Sequence, residues 1–502
     1  MQKEDDVFLE TARLGKRNSV LIEYDEKPQM PRMRRRYKDF LLVDIAHAVM
    51  MHEQGIVPKD DAGKLIGALV SLYDMGRDAF PWAEESGSFL VQVEHALGKL
   101  AGKDIAGHLQ TARSRNDQSA AAERLYLRNN LLSLETQAVA LLRGIVDKAE
   151  RHVETIMPGY THFQHAQPWT FGHYLMRQAS VVERAMQRLR DTYGRTDLSS
   201  LGAAANAGTS WPVDRRRTAA LLGHRDIVFN SIDACGFARE FIEENAAAIA
   251  LLMGNLGRFA TDLYIWSSWE FGFVEVHDSL AGTSSIMPQK KNPHCLERVK
   301  GVAGQSIGWL PTIMGNMRGT LSTDLDNAYG DDQIGLYMES TFGCLRLMDE
   351  AVRTLTVHDQ RMAATAGIFW STTSHLCDEL VRGYGINFRQ SHQVVASFVR
   401  ASLAAGLNPS QVRGADLARA AQEEIGMEIS LSDADLRSML DARTFIDTRT
   451  SEGSPRPSET RRHIALVRAQ IAEHQAWVDA TTAHNEAAVA DMLATARRYA
   501  GI

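Results

Sequence analysis

Cysteine is scarce in this sequence, and its few copies lie far apart. None of the four cysteines forms a CxxC pair or a cluster with histidine; they are Cys235, Cys295, Cys344 and Cys377. Zinc sites and disulfide frameworks both show characteristic cysteine spacings. The sequence therefore predicts neither a metal site nor a disulfide framework, and we expect reduced, buried thiols.

An excess of positive charge is absent as well. The formal net charge is -7 at pH 7, whereas a surface that binds nucleic acid needs clustered lysine and arginine to neutralise phosphates. The one dense basic run is RMRRRYK at residues 32–38, and we expect it to be a solvated or interface face of a helix. The sequence therefore predicts no nucleic-acid partner.

Long apolar runs are missing too. No stretch of about 18 apolar residues occurs, and the first residues, MQKEDDVFLETARLGKRN, have no apolar segment between their charges. We therefore expect no membrane span, no signal peptide, no membrane partner and a cytoplasmic location.

Proline is absent from three long intervals, which run between positions 81 and 158, 212 and 288, and 311 and 409. Because proline breaks helices, such intervals favour long helices. Each carries apolar residues at helical spacing, and one such stripe consists of Leu131, Leu134, Val139, Leu142, Ile145 and Ala149. Alternating β-branched runs are rare, and GxGxxG and GxxxxGK[ST] are absent. The sequence predicts a mainly α protein with a long central bundle.

Polar or small-residue segments separate the expected helices. Rigid helices commonly hold binding groups on such loops. The segments are QTARSRNDQSA from 110, MPGYTHFQHAQP from 157, SSLGAAANAGTSWPVDR from 199, GTSSIMPQKKNPH from 282 and DTRTSEGSPRPSE from 447.

The segment from 157 offers a hydroxyl, an imidazole and amides in Thr161, His162, Gln164 and Gln167. Histidine titrates nearest neutral pH and can donate or accept a proton. Since the chain holds 17 histidines, a structural role for any one of them is the common alternative.

The segment from 110 places Arg113, Ser114, Arg115, Asn116 and Gln118 within six residues. Guanidinium forks and amide donors can hold carboxylates. A polar helix start, capped by the asparagine or by the aspartate that follows it, is the alternative.

The segment from 282 carries Ser284, Ser285, Lys290, Lys291 and Asn292 without an acidic residue among them. Preorganised donors and cations of this kind suit an intermediate that accumulates negative charge. A flexible loop without a chemical role is the alternative.

SSIMPQKKNP, ARSRNDQ and GYTHFQHAQP together resemble the signature regions of the fumarase/aspartase superfamily, and within it those of the argininosuccinate lyase family. SSLGAAANAGTSWPVDR and GINFRQSHQVV extend the resemblance, so it spans most of the chain from about residue 40 to about residue 460.

The resemblance implies a mainly α fold whose long central bundle assembles into a core of about 20 helices in a homotetramer, flanked by two smaller helical domains. It implies an N-terminal domain over residues 1–115, a central domain over 116–372 and a C-terminal domain over 373–502. It also implies that three subunits share each active site.

The implied reaction is a reversible β-elimination of fumarate from an N-substituted L-aspartate, through an aci-carboxylate and without a metal or organic cofactor. By resemblance, Ser284 is the general base, and Lys290 and Asn292 stabilise the aci-carboxylate. His162 acts near the leaving nitrogen, with Glu297 as its partner. The expected substrate-binding residues are Ser114, Arg115, Asn116, Thr161, Gln164 and Ser285.

The sequence departs from argininosuccinate lyases where the arginine half of the substrate would lie. The family's Tyr, Gln and Lys correspond to Asp324, Tyr329 and Asp332, a serine of the first helix corresponds to Asp44, and His294 stands where aspartate is usual. Buried carboxylates need cationic partners. If the three aspartates face the site, they favour an amine or diamine leaving group. The alternative is that they pair with arginines of the protein.

Three functions remain open at this point. The first is a fumarate-releasing C–N lyase with an amine or diamine leaving group, as in relatives that act on N-succinylated diamines such as ethylenediamine-disuccinate. The second is a genuine argininosuccinate lyase. The third is a catalytically silent structural homologue, against which the presence of Ser284, Lys290, Asn292, His162 and Glu297 argues.

Overall fold

Five long helices dominate the architecture. The computed structural model describes residues 18–83, 89–237, 239–318 and 327–502. The long helices are α7 (Arg115–Arg151), α8 (Phe171–Thr196), α10 (Glu240–Trp266), α13 (Asn327–Thr354) and α20 (Pro457–Ala500). All six residues of the apolar stripe lie in α7 and are buried. The predicted mainly α fold is therefore confirmed.

Shorter helices surround the long ones. Before α7 lie α1 (Ser19–Leu21), α2 (Lys27–Arg35), α3 (Tyr37–Glu53), α4 (Lys59–Met75), α5 (Phe89–Ala101) and α6 (Lys103–Gly107). Between the long helices lie α9 (Arg215–Leu221), α11 (His294–Ser306) and α12 (Trp309–Asn316). After α13 come α14 (Asp359–Thr365), α15 (Thr373–Tyr384), α16 (Phe388–Ala404), α17 (Gly414–Ile425), α18 (Asp433–Met439) and α19 (Ala442–Asp447).

The strands are short and form two-stranded ladders. Three ladders are antiparallel: β1 (Ile156–Thr161) with β2 (Gln164–Thr170), β5 (Val274–Glu275) with β8 (Thr356–Val357), and β6 (Gly282–Thr283) with β7 (Lys291–Asn292). The parallel ladder joins β3 (Leu198–Ser199) to β4 (Asp226–Ile227).

The long helices run up and down beside α7. At its amino end, the Arg124 guanidinium lies 3.9 Å from the centroid of the Phe241 ring at the start of α10. At its carboxyl end, Gly172 N at the start of α8 donates to the His152 carbonyl at 2.9 Å, and Lys148 Nζ donates to the Leu355 carbonyl at 2.8 Å. We call these regions the α7 amino end and the α7 carboxyl end.

Three apolar clusters form most of the core. The largest joins α7, α8, α10, α11 and α13, the second joins helices α2 to α6 with the start of α7, and the third lies within residues 370–440. Helix α20 contributes Ile464 and Val467 to the first cluster and Met492 and Ala496 to the second. The division of the chain at residues 115 and 372 stays a prediction.

The basic run was expected to be a solvated or interface face of a helix, and this was wrong for its two buried arginines. Arg32 and Arg36 are buried, and Arg36 forms a two-pronged ion pair with Glu123 of α7 at 2.6 and 2.8 Å. Arg32 and Arg239 both pair with the buried carboxylate of Asp331. Burial alone would raise the pKa of Asp331, but Arg239 and Arg32 hold it below its ordinary value. The basic run therefore joins α2 to the start of α13 inside the protein.

All four cysteines are free and buried, as expected. Among the helices of the described ranges, none has the length and apolar character that crossing a membrane requires.

A buried histidine cross-links three long helices. His474 Nδ1 of α20 lies 2.7 Å from Glu135 Oε1 of α7, and its Nε2 lies 3.8 Å from Glu183 Oε1 of α8. Burial alone would lower the pKa of His474, but the hydrogen bond to Glu135 and the negative charges of both carboxylates raise it, against an opposing Arg190. Burial also raises the pKa of Glu135.

We predict that the stability contributed by this contact decreases as pH rises. A raised folded-state pKa contributes stability that is fully present below the unfolded value, about 6.5 for histidine, and is lost as pH rises through the folded pKa. The free energy of unfolding, measured in denaturant between pH 6 and 9, should decrease in the wild type relative to His474→Gln as pH rises, because buried histidines with lowered pKa values, such as His47, act in the opposite direction in both proteins. His484→Gln, which changes an exposed histidine of the same helix, should behave like wild type. Equal slopes in all three proteins would contradict the assignment.

Candidate active site

Ser114 begins α7, one of the five long helices, with a reciprocal cap. Its Oγ accepts from Asn116 N at 3.3 Å, and Asp117 Oδ1 accepts from Ser114 N at 3.0 Å. The serine is therefore the N-cap, whereas the alternative in the sequence analysis assigned the cap to Asn116 or Asp117. Ser114 and Asn116 are half-buried and Arg115 is exposed, so the predicted carboxylate-binding groups lie at the surface of the α7 amino end.

Asp117 ties this turn to the segment that begins at residue 199. Its Oδ2 accepts from Gly202 N at 2.9 Å and from Ala204 N at 3.0 Å. Burial raises the pKa of Asp117, although the backbone N–H groups of Ser114, Ala204 and Gly202 oppose that rise. Sequence reasoning missed this anchoring role. The spacing of Ser114 and Asp117 could have indicated the capping box, but it carries no signal for contacts more than 80 residues away.

Asp44 lies beneath the same turn and pairs with the protein itself. Its Oδ1 accepts from Arg113 Nη1 at 2.5 Å and from Gln118 Nε2 at 2.7 Å, and its side chain is about 1% exposed. This is the arginine pairing that sequence analysis gave as the alternative to contact with the leaving group.

The other two predicted acidic residues differ in what the structure describes. Asp332 forms an ion pair with Arg35 of α2, again the arginine pairing. Asp324 lies outside the described residues, and of Tyr329 only the helical backbone is described.

The segment from 157 forms a hairpin around Thr161, His162 and Phe163, rather than the plain loop expected before a helix. Strands β1 and β2 pair Thr161 with Gln164, and His162 and Phe163 form the two-residue turn with φ values of 55° and 62°. Two successive positive φ angles fit the twist of a tight hairpin, although such turns usually contain asparagine or glycine. The hairpin presents Thr161, His162 and Gln164 as exposed side chains at the α7 carboxyl end.

The hydroxyl of Ser284 is held by its own loop. Strands β6 and β7 pair Gly282 with Asn292 and close the loop between them. Within the loop, Ser284 Oγ accepts from Met287 N at 3.0 Å and from Ile286 N at 3.3 Å. Backbone N–H groups aimed at an oxygen stabilise negative charge on it. The arrangement therefore favours ionisation of this hydroxyl.

The two lysines of this loop have different surroundings. Lys291 Nζ pairs with Glu275 at 2.7 Å and with Asp278 at 2.5 Å, which fixes the base of the loop. Lys290 is exposed near the loop tip, and its backbone N–H donates to the Met287 carbonyl at 3.1 Å. The Lys291 side chain is therefore engaged within the protein, whereas the Lys290 side chain faces solvent.

The residues around the start of α11 complete this region. Glu297 is exposed in the first turn of α11. Ser285 is exposed in the loop, and Asn292 is half-buried at its base. The His294 ring packs against Gly282 so closely that an added Cβ there would meet the ring at 1.9 Å. A larger residue at position 282 would therefore require the His294 ring to move.

A single chain does not unite these groups. The turn of Ser114 to Asn116 lies at the α7 amino end, whereas the hairpin turn and the Ser284 loop lie at the other end of the bundle. Helix α7 has 37 residues, and at 1.5 Å per residue its ends are about 55 Å apart.

Comparisons with known proteins agree with this architecture. A family model described as lyase matches residues 15–308, and one described as the argininosuccinate lyase C-terminal region matches residues 370–447. The argininosuccinate lyase of Methanosarcina acetivorans is 35% identical over 432 residues, which cover 86% of this chain and 87% of that protein. The argininosuccinate lyase of Methanocaldococcus jannaschii is 34% identical over 445 residues, 88% of this chain and 89% of that protein.

Solved structures give the same result at the level of the fold. The crystal structure of EDDS lyase in complex with formate superposes with a TM-score of 0.86 at 30% identity and covers 97% of both chains. The class II fumarase of Schistosoma mansoni superposes with a TM-score of 0.69 at 16% identity over 86% of this chain and 93% of that chain, which supports the fold alone. The chain belongs to the argininosuccinate lyase family of the fumarase/aspartase superfamily and is a fumarate-releasing carbon–nitrogen lyase.

Proposed function

We propose that Ser284 is the general base of this elimination. The observation that carries the proposal is the pair of hydrogen bonds that its Oγ accepts from Ile286 N and Met287 N. A serine hydroxyl in water is too weak an acid to ionise near neutral pH, but fixed N–H donors lower the free energy of its alkoxide. The alkoxide takes the proton from the carbon next to a succinyl carboxylate.

The remaining signature residues serve the charges of the same reaction. Lys290 and Asn292 stabilise the aci-carboxylate through a cation and an amide donor. His162 gives or positions a proton at the leaving nitrogen, and Glu297 orients its ring. The carboxylates that become those of fumarate are held by Ser114, Arg115, Asn116, Thr161, Gln164 and Ser285.

The site is assembled from more than one chain, as a homotetramer in which three subunits share each site. The separation of the predicted groups along α7 supports this proposal, because a small substrate cannot span about 55 Å. Exposed apolar side chains on the bundle helices support it as well, since such surface is usually covered by a partner. They are Leu251, Ile307, Met314 and Leu336.

The leaving group is an amine or diamine. The support is the EDDS lyase structure at 30% identity and Asp324, which stands where the family has tyrosine. Asp44 and Asp332 no longer add to this support, because both pair with arginines. Argininosuccinate is the second candidate, favoured by relatives of 35% identity.

We also propose a cytoplasmic location. Four free, buried cysteines are typical of proteins in a reducing compartment.

Substrate choice can be tested by the absorbance of fumarate. Argininosuccinate and N-succinylated diamines should be offered separately to the purified protein. Fumarate formed chiefly from the diamine adducts is the expected result. Efficient turnover of argininosuccinate alone would contradict the amine proposal and support the second candidate.

Replacement of the base should remove the chemical step. We expect Ser284→Ala to lower the rate of fumarate formation by about a thousandfold, the size of a general acid–base contribution. Ser279→Ala, which changes an exposed serine shortly before the same loop, should keep the wild-type rate. Wild-type activity in Ser284→Ala would eliminate this serine as the base.

Mixed subunits test the shared site. Arg115→Ala and Ser284→Ala should each be inactive alone. Mixed oligomers of the two variants in equal amounts should show about a quarter of the wild-type activity. Each site needs an intact Arg115 from one subunit and an intact Ser284 from another, and each of these is present in half of the subunits. No recovery in mixed oligomers, confirmed by differential tags, would mean that one chain supplies both groups.

A further inference from the structure

The turn that carries Ser114, Arg115 and Asn116 is attached to helix α3 through one carboxylate oxygen, Asp44 Oδ1. Arg113 directly precedes the turn, and Gln118 follows it within the first turns of α7. Both donate to Asp44 Oδ1 of α3, at 2.5 and 2.7 Å. Since the two donors flank the turn, their common acceptor fixes its position relative to α3.

The chain enters this turn in a restrained conformation. Ala112 has a φ of 61°, a region that residues with a side chain rarely adopt. The preceding residue is held by His47 of α3, whose Nε2 donates to the Thr111 carbonyl at 2.9 Å. Burial, together with the charge of Arg113, lowers the pKa of His47 to about 3, so the ring is neutral and this donor is uncharged. Helix α3 therefore supports the turn at two points.

The buried ion pair between Asp44 and Arg113 is not well suited to stabilise the fold. Asp44 Oδ2 and both Nε and Nη2 of Arg113 are buried and have no hydrogen-bond partner among the described residues. Burying charges is costly, and an ion pair that leaves polar atoms unsatisfied does not recover that cost. What the pair does supply is a fixed direction for Arg113 and Gln118, and hence for the residues between them.

We propose that Asp44 is a positioning residue of the active site, which acts through Arg113 and Gln118 to aim Ser114, Arg115 and Asn116 at a substrate carboxylate. The proposal rests on the proposed function, in which this turn binds the carboxylates of fumarate. Asp44 itself does not touch the substrate. It therefore determines affinity for the fumarate half and not the choice of leaving amine.

The chain offers a matched control, a second buried aspartate whose arginine partner lies on α7. Asp197 Oδ1 also accepts from two buried groups, Arg128 Nη1 at 2.9 Å and His224 Nδ1 at 3.0 Å. Arg128 lies thirteen residues beyond Arg115 along α7, about 20 Å from the turn. Asp197→Asn should therefore destabilise the protein in the same way without moving the turn.

The experiment is calorimetric titration of fumarate into the assembled proteins, well below their melting temperatures. We expect Asp44→Asn to weaken fumarate binding by roughly ten- to a hundredfold, as small misplacements of binding groups do. Asp197→Asn should bind fumarate like wild type. Equal fumarate affinity in Asp44→Asn and wild type, or equal weakening in both aspartate variants, would overturn the proposal.

Two further proteins separate the possible failures. Asp44→Asn combined with Arg113→Gln removes both charges and should recover thermal stability without recovering fumarate affinity; recovery of both would mean a merely structural role. Arg115→Ala tests the underlying assignment of the turn. If Arg115→Ala binds fumarate like wild type, the carboxylate-binding role of the turn fails; if only Arg115→Ala loses affinity, the positioning role of Asp44 fails alone.

Discussion

The length of helix α7 is the constraint on which the rest of the structure depends. A continuous helix of 37 residues cannot bring its own ends together, and the hydrogen bonds and packing along it leave no hinge. The Ser114 turn begins this helix, while the hairpin that carries His162 and the Ser284 loop lie beyond its other end. This separation is the basis of our proposal that the reaction takes place between chains.

Buried carboxylates fix the elements around the α7 amino end. Asp117 joins the α7 amino end to the backbone at Gly202 and Ala204, and Asp44 joins the same turn to α3. Asp331 and Glu123 receive the arginines of the basic run at the start of α13. Breaking one buried pair of this kind typically costs about 3–5 kcal/mol. Buried charge in this protein therefore serves to set geometry, and the exposed Lys290 and Arg115 carry the charges that we propose to contact the ligand.

The helices were predictable because their pattern is local. The apolar stripe of α7 and the proline-free intervals indicate helices without knowledge of any partner. The polar segments from 157, 199 and 282 lie between helices, whereas the segment from 110 continues into the first turns of α7. The hairpin at His162 and Phe163 was not predictable, because its turn adopts positive φ angles without glycine or asparagine. The partners of Arg36 and Asp44 were not predictable either, since both lie about 70 or more residues away along the chain. The 44-residue α20 lies largely beyond the segment that carries the family resemblance.

The chemistry of the site follows from small groups on short loops. Two backbone N–H groups hold the Ser284 hydroxyl, a hairpin turn presents His162, and a capped helix start presents Arg115. The most direct test of the proposal that different chains supply these groups is a crystal structure of the assembled protein with fumarate bound. We expect each fumarate to contact the Ser284 loop of one chain, the Ser114 turn of a second and the Thr161 hairpin of a third. A fumarate bound by residues of a single chain would contradict the shared site.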